Sequence, residues 1–381
     1  MSALQGIKVI EIAGIGPGPI ASMMLADLGA EVILIERKTD NPNAAGLFNS
    51  NKTEFFKRGK QSIALDLKQP EAIQLVLSLV EQADMFIEGF RPGVIERLGL
   101  GPEVCLARNK KMIYGRMTGW GQHGPLAQAA GHDINYASIS GVLAYSGFAN
   151  DKPFPPATII GDVGGGSLHL VMGMLAAYIH VLSTGEGQVI DAAICDGNVY
   201  MQTLLTSLYA NGLVGEQRGG DFLTGASPWA NTYQCADDKY ITVQALEPNF
   251  YKEFITLAGF ADDLNFSMQY DKSLWPLAIT KLTKYFKSQP QVHWNNIFEG
   301  TDACYAPVMS LKEAVEHPHN VARHNFVVEN DLIQPAPAPK LNKTPSQVGK
   351  IPKFGEHTEQ ILAQLNLSDE QYAKLKAMAV V

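Results

Sequence analysis

The stretch AGHDINYASISGV, residues 130–142, sets His132 against Asp133 at the start of a helical pattern, in a chain with nine histidines. Histidine titrates near neutral pH and serves readily as an acid or a base, but beside a carboxylate it is most often a hydrogen-bonded surface or core group. Asp162 stands in IIGDVGGGSLHL just ahead of glycines 164–166 and a long apolar run. Taken alone it reads as a helix N-cap accepting a backbone N–H. Glu247, in QALEPNFY, reads by itself as a strand-end surface acid. Arginines such as Arg37, Arg91 and Arg97 suit phosphates through their planar, charge-assisted fork, yet each taken singly is a solvated surface charge. His123 reads as a loop residue, and His169 and His180 as satisfied core groups. Met23, Met24, Met172 and Met174 read as core packing.

A different chemistry is suggested by KVIEIAGIGPGP, where a strand runs into glycines and a helix and Glu36 lies 22 positions after Gly14. That is near the spacing of a dinucleotide site. The match fails in detail: a third glycine is replaced by Pro19, and Pro17 removes a backbone N–H from a loop that would have to cradle pyrophosphate. A tight strand-to-helix turn with Pro19 opening the helix accounts for the same residues.

The elements that must position these groups alternate. KVIEIA, EVILIER, QSIALDL, ADMFIEG and KMIYGRMTG read as strands, with helical patterns in IASMMLADLG and EAIQLVLSLVEQ between them. Such alternation predicts a parallel sheet and a Rossmann-like first half. The glycine-rich ANGLVGEQRGGDFLTGASP reads as a linker. TYQCADDKYITVQALE reads as a hairpin turning at Ala236, Asp237 and Asp238, and helices continue to about residue 316, giving a smaller α+β unit. QPAPAPKL is extended, and Ser368 and Gln371 match a helix capping box.

The 381 residues suggest about two domains at ~150 residues each. With 46% hydrophobic and 18% charged residues the chain is globular, and a formal charge of −8 opposes sequence-independent nucleic-acid binding. Cys105, Cys195, Cys235 and Cys304 lack any CxxC spacing, so neither a disulfide framework nor a metal site is expected. LVMGMLAAYIHVL falls short of the ~20 residues of a membrane helix and reads as a buried helix. MSALQGIKVIEIAG carries no leader pattern and KAMAVV no peroxisomal tripeptide, from which a cytoplasmic location is expected.

Four stretches taken together, FIEGFRPGVIERLGLG, GRMTGWGQHGPLAQAAGHDINY, IIGDVGGGSLHLVMGMLAAYIHVLSTGEGQ and QALEPNFY, resemble the family III CoA-transferase superfamily and, within it, the α-methylacyl-CoA racemases. The resemblance runs from GIKVIEIAGIGPGP to at least TDACYAPV. It implies an α/β fold: a Rossmann-like large domain with a parallel sheet, a smaller α+β domain, and an interlocked homodimer whose site is shared between subunits. The expected boundaries are a large domain over 1–205, a linker over 206–226, a small domain over 227–316, a return linker over 317–334, and a tail over 335–381 that completes the large domain.

The resemblance further implies that His132 and Asp162 exchange the α-proton of a 2-methylacyl-CoA thioester, with Glu247 orienting His132. The backbone of Asp133 would meet the enolate oxygen. For the CoA moiety it implies Arg37, the segment Leu65, Asp66, Leu67 and Lys68, then Gly89, Phe90, Arg91 and Arg97, and the backbone of Gly131, Asp133, Ile134, Asn135 and Tyr136. No separate cofactor and no metal are expected, because CoA arrives as part of the substrate. A CoA-transferase would instead use Asp162 as a nucleophile, and a non-catalytic acyl-CoA-binding protein would retain the fold alone.

Overall fold

The computed structural model describes residues 2–38, 53–154, 158–329, 332–365 and 367–381. The chain divides into two compact units: Met1–Ser140 with Ala157–Met201 and His324–Val381, and Gly141–Pro156 with Gln202–Arg323.

The first unit is built on six strands, β1 (Lys8–Ile12), β2 (Glu31–Arg37), β3 (Lys60–Leu65), β4 (Met85–Glu88), β5 (Ile113–Thr118) and β6 (Gln188–Ala193). All pair in parallel, in the order β3-β2-β1-β4-β5-β6. The inner strands are near-continuous apolar runs because helices cover both faces, as parallel sheets require. β6 was not read from the sequence; its first half is largely exposed and only Ala192 and Ala193 are buried. The order reverses between β1 and β4, which makes the carboxyl ends of those strands the topological switch point.

Five helices follow the strands: α1 (Pro17–Asp27), α2 (Pro70–Val80), α3 (Val94–Arg97), α4 (Pro102–Arg108) and α5 (Asp133–Ile139). Pro17, and not Pro19, opens α1, because Gly16 at φ 78° makes the turn in a conformation that a side chain disfavours.

Residues Ile159–Leu168 form a π-helix that runs directly into α6 (His169–Thr184), and α7 (Ile194–Met201) packs across it. A Cβ on Gly165 would stand 2.4 Å from the Asn198 side chain, and one on Gly197 would stand 2.0 Å from the Gly165 carbonyl, so this crossing needs glycine on both sides. The glycines thus extend the helix, and the continuous 26-residue run Ile159–Thr184 is long and apolar enough by length and composition to cross a membrane, which corrects the expectation from the shorter apolar run. Nor is the helix wholly buried. Leu170, Val171, Met174 and Ala177 face the core, whereas Leu168, Met172, Ile179 and Leu182 are exposed, as is His180.

In the second unit β7 (Ala230–Gln234) and β8 (Tyr240–Gln244) form the antiparallel hairpin, with β9 (Tyr305–Val308) on the other side of β8. Before them stands α8 (Thr203–Ala210), and α9 (Pro248–Leu257), α10 (Trp275–Lys287) and α11 (Gln291–Phe298) supply the amphipathic faces of an aromatic core that holds Trp229, Phe254, Phe286 and Trp294. Two short helices, α12 (Leu311–Glu316) and α13 (Pro318–Ala322), close the unit. The expected linker over 206–226 therefore begins inside a helix, and the unit starts at Gln202 and takes in residues 141–156, which lie far from it in sequence. The expected return linker over 317–334 is likewise structured, by α13 and by the hairpin β10 (Phe326–Glu329) and β11 (Leu332–Pro335).

The last segment rejoins the first unit. Arg58 donates to both oxygens of buried Asp27 (2.6 and 3.0 Å) and to the Gln334 side chain and Pro335 carbonyl (3.1 and 2.8 Å), which docks the returning chain. The Gly59 N–H donates to Lys350 O, and the His357 N–H to Ser62 O, each at 2.8 Å. From α14 (Thr358–Ala363) and α15 (Asp369–Ala377), Ile361, Leu362 and Leu375 enter the same core as Ile63, Leu65 and Phe86, followed by Val380. The Ser368–Gln371 capping box is formed in both directions, at 3.2 and 2.8 Å.

Candidate active site

At the switch point the loops after β1, β4 and β5 enclose a cleft of about 570 Å³, bounded by Gly14–Pro17, Gly89–Pro92 and Met117–Trp120. His132, Tyr136 and Asp162 complete its wall. A second cavity, of about 400 Å³ within the second unit, is lined by Tyr145, Phe148, Asn231, Thr242 and their neighbours and presents no charged side chain. Of these two cavities, the first carries the side chains able to act as acids or bases.

His132 is the N-cap of α5 and is exposed. The Asn135 side-chain oxygen accepts the His132 backbone N–H at 3.0 Å, which fixes how the chain enters the helix. Behind it the Tyr136 hydroxyl donates to Gly131 O, and the Tyr136 ring meets Trp120 edge-on at 4.7 Å. A Cβ on Gly131 would lie 2.7 Å from that ring and one on Gly119 only 2.0 Å away, so the aromatic pair demands glycine at both positions.

Asp162 lies in the first turn of the π-helix and is half-buried; it does not serve as an N-cap. Thr158 donates its hydroxyl to Asp162 Oδ2 at 3.0 Å, and the Asp162 N–H donates to Asp133 Oδ1 at 2.8 Å. Burial pushes the Asp162 carboxyl up from its ordinary value; the Thr158 hydrogen bond opposes this, Asp133 adds to it, and His132 opposes it. A carboxyl shifted upward by desolvation in a cleft beside a histidine is a group suited to taking and returning protons.

The Gly89–Pro92 loop is held from beneath. Glu88, fully buried, accepts the Phe90 N–H at 2.7 Å through one oxygen and Arg116 Nε at 2.9 Å through the other, and Arg116 also pairs with Glu96 at 2.8 Å. Glu88 and Arg116 stand directly opposite each other in the β4–β5 register. The sequence reading passed over both, although a lone acid ending one apolar strand and a lone base within the next were the signal available.

Of the residues expected at the site, the cleft brings together Gly89, Phe90, Arg91, Gly131, His132, Tyr136 and Asp162. Arg37 ends β2 and Arg97 ends α3, both exposed and both outside the cleft wall, as are Asp66 and Lys68. Asp66 instead bonds within its own turn, to Lys68 N (3.2 Å) and the Gln69 side chain (3.3 Å). Leu65, which ends β3, is fully buried and Leu67 packs on the same core, so both side chains are taken up by packing. Asp133, Ile134 and Asn135 form the first turn of α5 behind His132, outside the wall. Glu247, exposed, precedes α9 in the second unit. Ile15, 84% exposed in the β1–α1 loop, and Trp120 line the cleft without having been singled out.

Residues 4–358 match CoA-transferase family III. The chain is 37% identical over 381 residues to α-methylacyl-CoA racemase of Mus musculus, covering 99% of this chain and 97% of the mouse protein. It is 38% identical over 383 residues to that of Homo sapiens, covering 100% and 97%. Among solved structures, a CAIB/BAIF family protein from Brucella suis superposes with a TM-score of 0.80 at 25% identity, over 96% of this chain and 99% of that one. The α/β sheet order, the cleft at its switch point and a match that spans both units agree, and the chain belongs to CoA-transferase family III.

Proposed function

We propose that this chain is a racemase that inverts the α-carbon of 2-methylacyl-CoA thioesters by 1,1-proton transfer through an enolate. The observation that carries the reading is the meeting of His132 and Asp162 on one cleft wall, in a chain similar over its whole length to racemases. Inversion requires that one group remove the α-proton from one face and another return a proton to the opposite face. One of His132 and Asp162 takes the proton, negative charge moves to the thioester oxygen, and the other gives a proton back. The main-chain N–H of Asp133, the first of α5 and without an acceptor inside the helix, is assigned to the enolate oxygen.

Arg91 and the Gly89–Phe90 backbone hold the CoA portion in this reading, supported by their place on the cleft wall. Arg37, Arg97, Asp66 and Lys68 belong to a more distant, nucleotide end. No further cofactor or metal is needed. The active form is a homodimer in which Glu247 of the partner subunit orients the His132 ring. In support, the first unit leaves Leu168, Met172, Ile179 and Leu182 of the long helix exposed, with Val199 and Tyr200 of α7, an apolar surface that suits a second copy.

The test is one enantiomer of a 2-methylacyl-CoA ester in D₂O without carboxylate acceptor. It should racemise and gain one α-deuterium, and His132→Ala and Asp162→Ala should each abolish inversion while leaving at most slow exchange at the face still served. The family's name favours a second reading, in which the Asp162 carboxylate attacks the thioester carbonyl, expels CoA thiolate and forms an acyl anhydride. The thiolate then attacks the aspartyl carbonyl, releasing the carboxylate and leaving an aspartyl-CoA thioester. Borohydride or hydroxylamine trapping of that thioester, acceptor-dependent CoA transfer and absence of α-deuterium would overturn the racemase reading.

A further inference from the structure

We propose that Asp133 and Thr158 are the positioning residues of Asp162, the first holding its main chain through a side-chain carboxylate and the second holding its carboxylate through a hydroxyl. The inference rests on the reading of Asp162 as a proton carrier and extends it to two side chains outside the cleft wall.

Three observations carry it. The Asp133 carboxylate turns away from its own helix and accepts the Asp162 N–H at 2.8 Å. Room for it is made by Gly161, where a Cβ would stand 2.1 Å from Asp133 Oδ1, closer than any real contact. Thr158 donates to Asp162 Oδ2 from a left-handed backbone at φ 61°, a conformation that a β-branched residue adopts only when its surroundings hold it there. The π-helical turn between them widens the chain where the two anchors meet, and such turns gather at functional sites.

The two anchors act oppositely on the charge they hold. A carboxylate beside Asp162 disfavours its ionised form, whereas a hydroxyl hydrogen bond to that form favours it. His132 and Tyr136 are the other titratable groups on α5 that interact with Asp162. From the remaining elements packed on this segment, Asp27, Arg116, His169, Asp191 and Asp196 are engaged by Arg58, Glu88, the Gly164 carbonyl, the Gln122 N–H and Cys195 respectively. Burial sets the upward direction, and Asp133 and Thr158 adjust it.

The experiment follows the Asp162 carboxyl directly, by ¹³C NMR of aspartate-labelled full-length protein assigned with Asp162→Asn, and in parallel the pH profile of α-deuterium exchange into a 2-methylacyl-CoA ester. Asp133→Asn keeps the oxygen that accepts the N–H and removes the charge. It should move the Asp162 titration to lower pH, and the acid limb of exchange with it, because Asp162 acts as a base only when ionised. Thr158→Val should move both to higher pH, and Thr158→Ser should restore them. Asp133→Ala, which frees the Asp162 N–H, should lower kcat about 10- to 100-fold with a smaller change in KM. If neither Asp133→Asn nor Thr158→Val moves the Asp162 titration, the proposal is overturned. Shifts in the expected directions in a protein that exchanges no α-proton would instead sustain the positioning and sink the proton-carrier reading.

Discussion

At the scale of single residues, neighbours decide what a side chain does. Asp133 beside His132 looks in the sequence like a partner for the histidine; in the structure its carboxylate goes to the main chain of a residue 29 positions away. That destination depends on Gly161 leaving space, a three-dimensional fact that no local spacing encodes. Glycines 164–166, plain in the sequence, let α7 and Pro17 of α1 pack close to the backbone after Asp162. The cleft places a cost on Asp162 that stability measurements should detect. Because burial raises its carboxyl above the ordinary value, the folded state holds that proton more tightly than the unfolded one. Its contribution is therefore fully present below the unfolded value and lost as pH rises through the folded one. Asp162→Asn should unfold at higher denaturant concentration than wild type at pH 7, with the gap closing as the pH falls below the ordinary carboxylate range. Equal stability at both pH values would contradict the desolvation. If Arg91 holds the CoA portion as proposed, Arg91→Ala should act on binding, since a phosphate contact remote from the reacting carbon is shared by ground and transition states. KM for an acyl-CoA ester should rise roughly tenfold, about 1.4 kcal/mol, with kcat little changed.

At the scale of elements, five of the six sheet strands were readable because a parallel strand buried on both faces is an apolar run that needs no partner to be recognised. β6 escaped because its first half is exposed and breaks that pattern. The loops of the cleft were readable as loops, but what holds them was not, since Glu88 and Arg116 meet only after β4 and β5 are in register. Their pairing ties the Phe90 N–H to the sheet and so controls where Arg91 begins. Glu88→Ala should cost about 3–5 kcal/mol in equilibrium urea unfolding, because it leaves Arg116 buried beside one remaining acid and frees the loop. Glu88→Gln, which can still accept from Phe90, should recover most of the affinity for an acyl-CoA ester and only part of the stability. If both variants bound ester equally poorly, the loop anchor would lie elsewhere.

At the scale of the whole molecule, the chain leaves its first unit at Met201 and returns to it at His324, so residues separated by some three hundred positions share one core. Leu375 on α15 packs with Leu65 and Leu75 at 7% exposure, and Leu375→Ala should cost about 2–5 kcal/mol, read by urea unfolding, as though the last helix were part of the first domain. The same unit carries exposed apolar side chains on the long helix, where Ile179 and Leu182 are 69% and 70% exposed one turn apart. Fully burying a side chain of this size is favourable by about 1.5–3 kcal/mol, which works toward association of two copies. The proposed dimer would use this face, and the double change Ile179→Asp with Leu182→Asp would place two carboxylates there without touching Leu170, Met174 or Ala177 on the buried side. Sedimentation of the native protein should give a mass near twice 41.4 kDa, and the double variant a mass near 41.4 kDa with unchanged far-UV circular dichroism. If the site needs Glu247 of the partner subunit, the monomeric variant should also lose α-deuterium exchange, whereas His132 and Asp162 remain in place on their own cleft wall. A monomer with full exchange would refute the shared site and assign the whole of the chemistry to one chain.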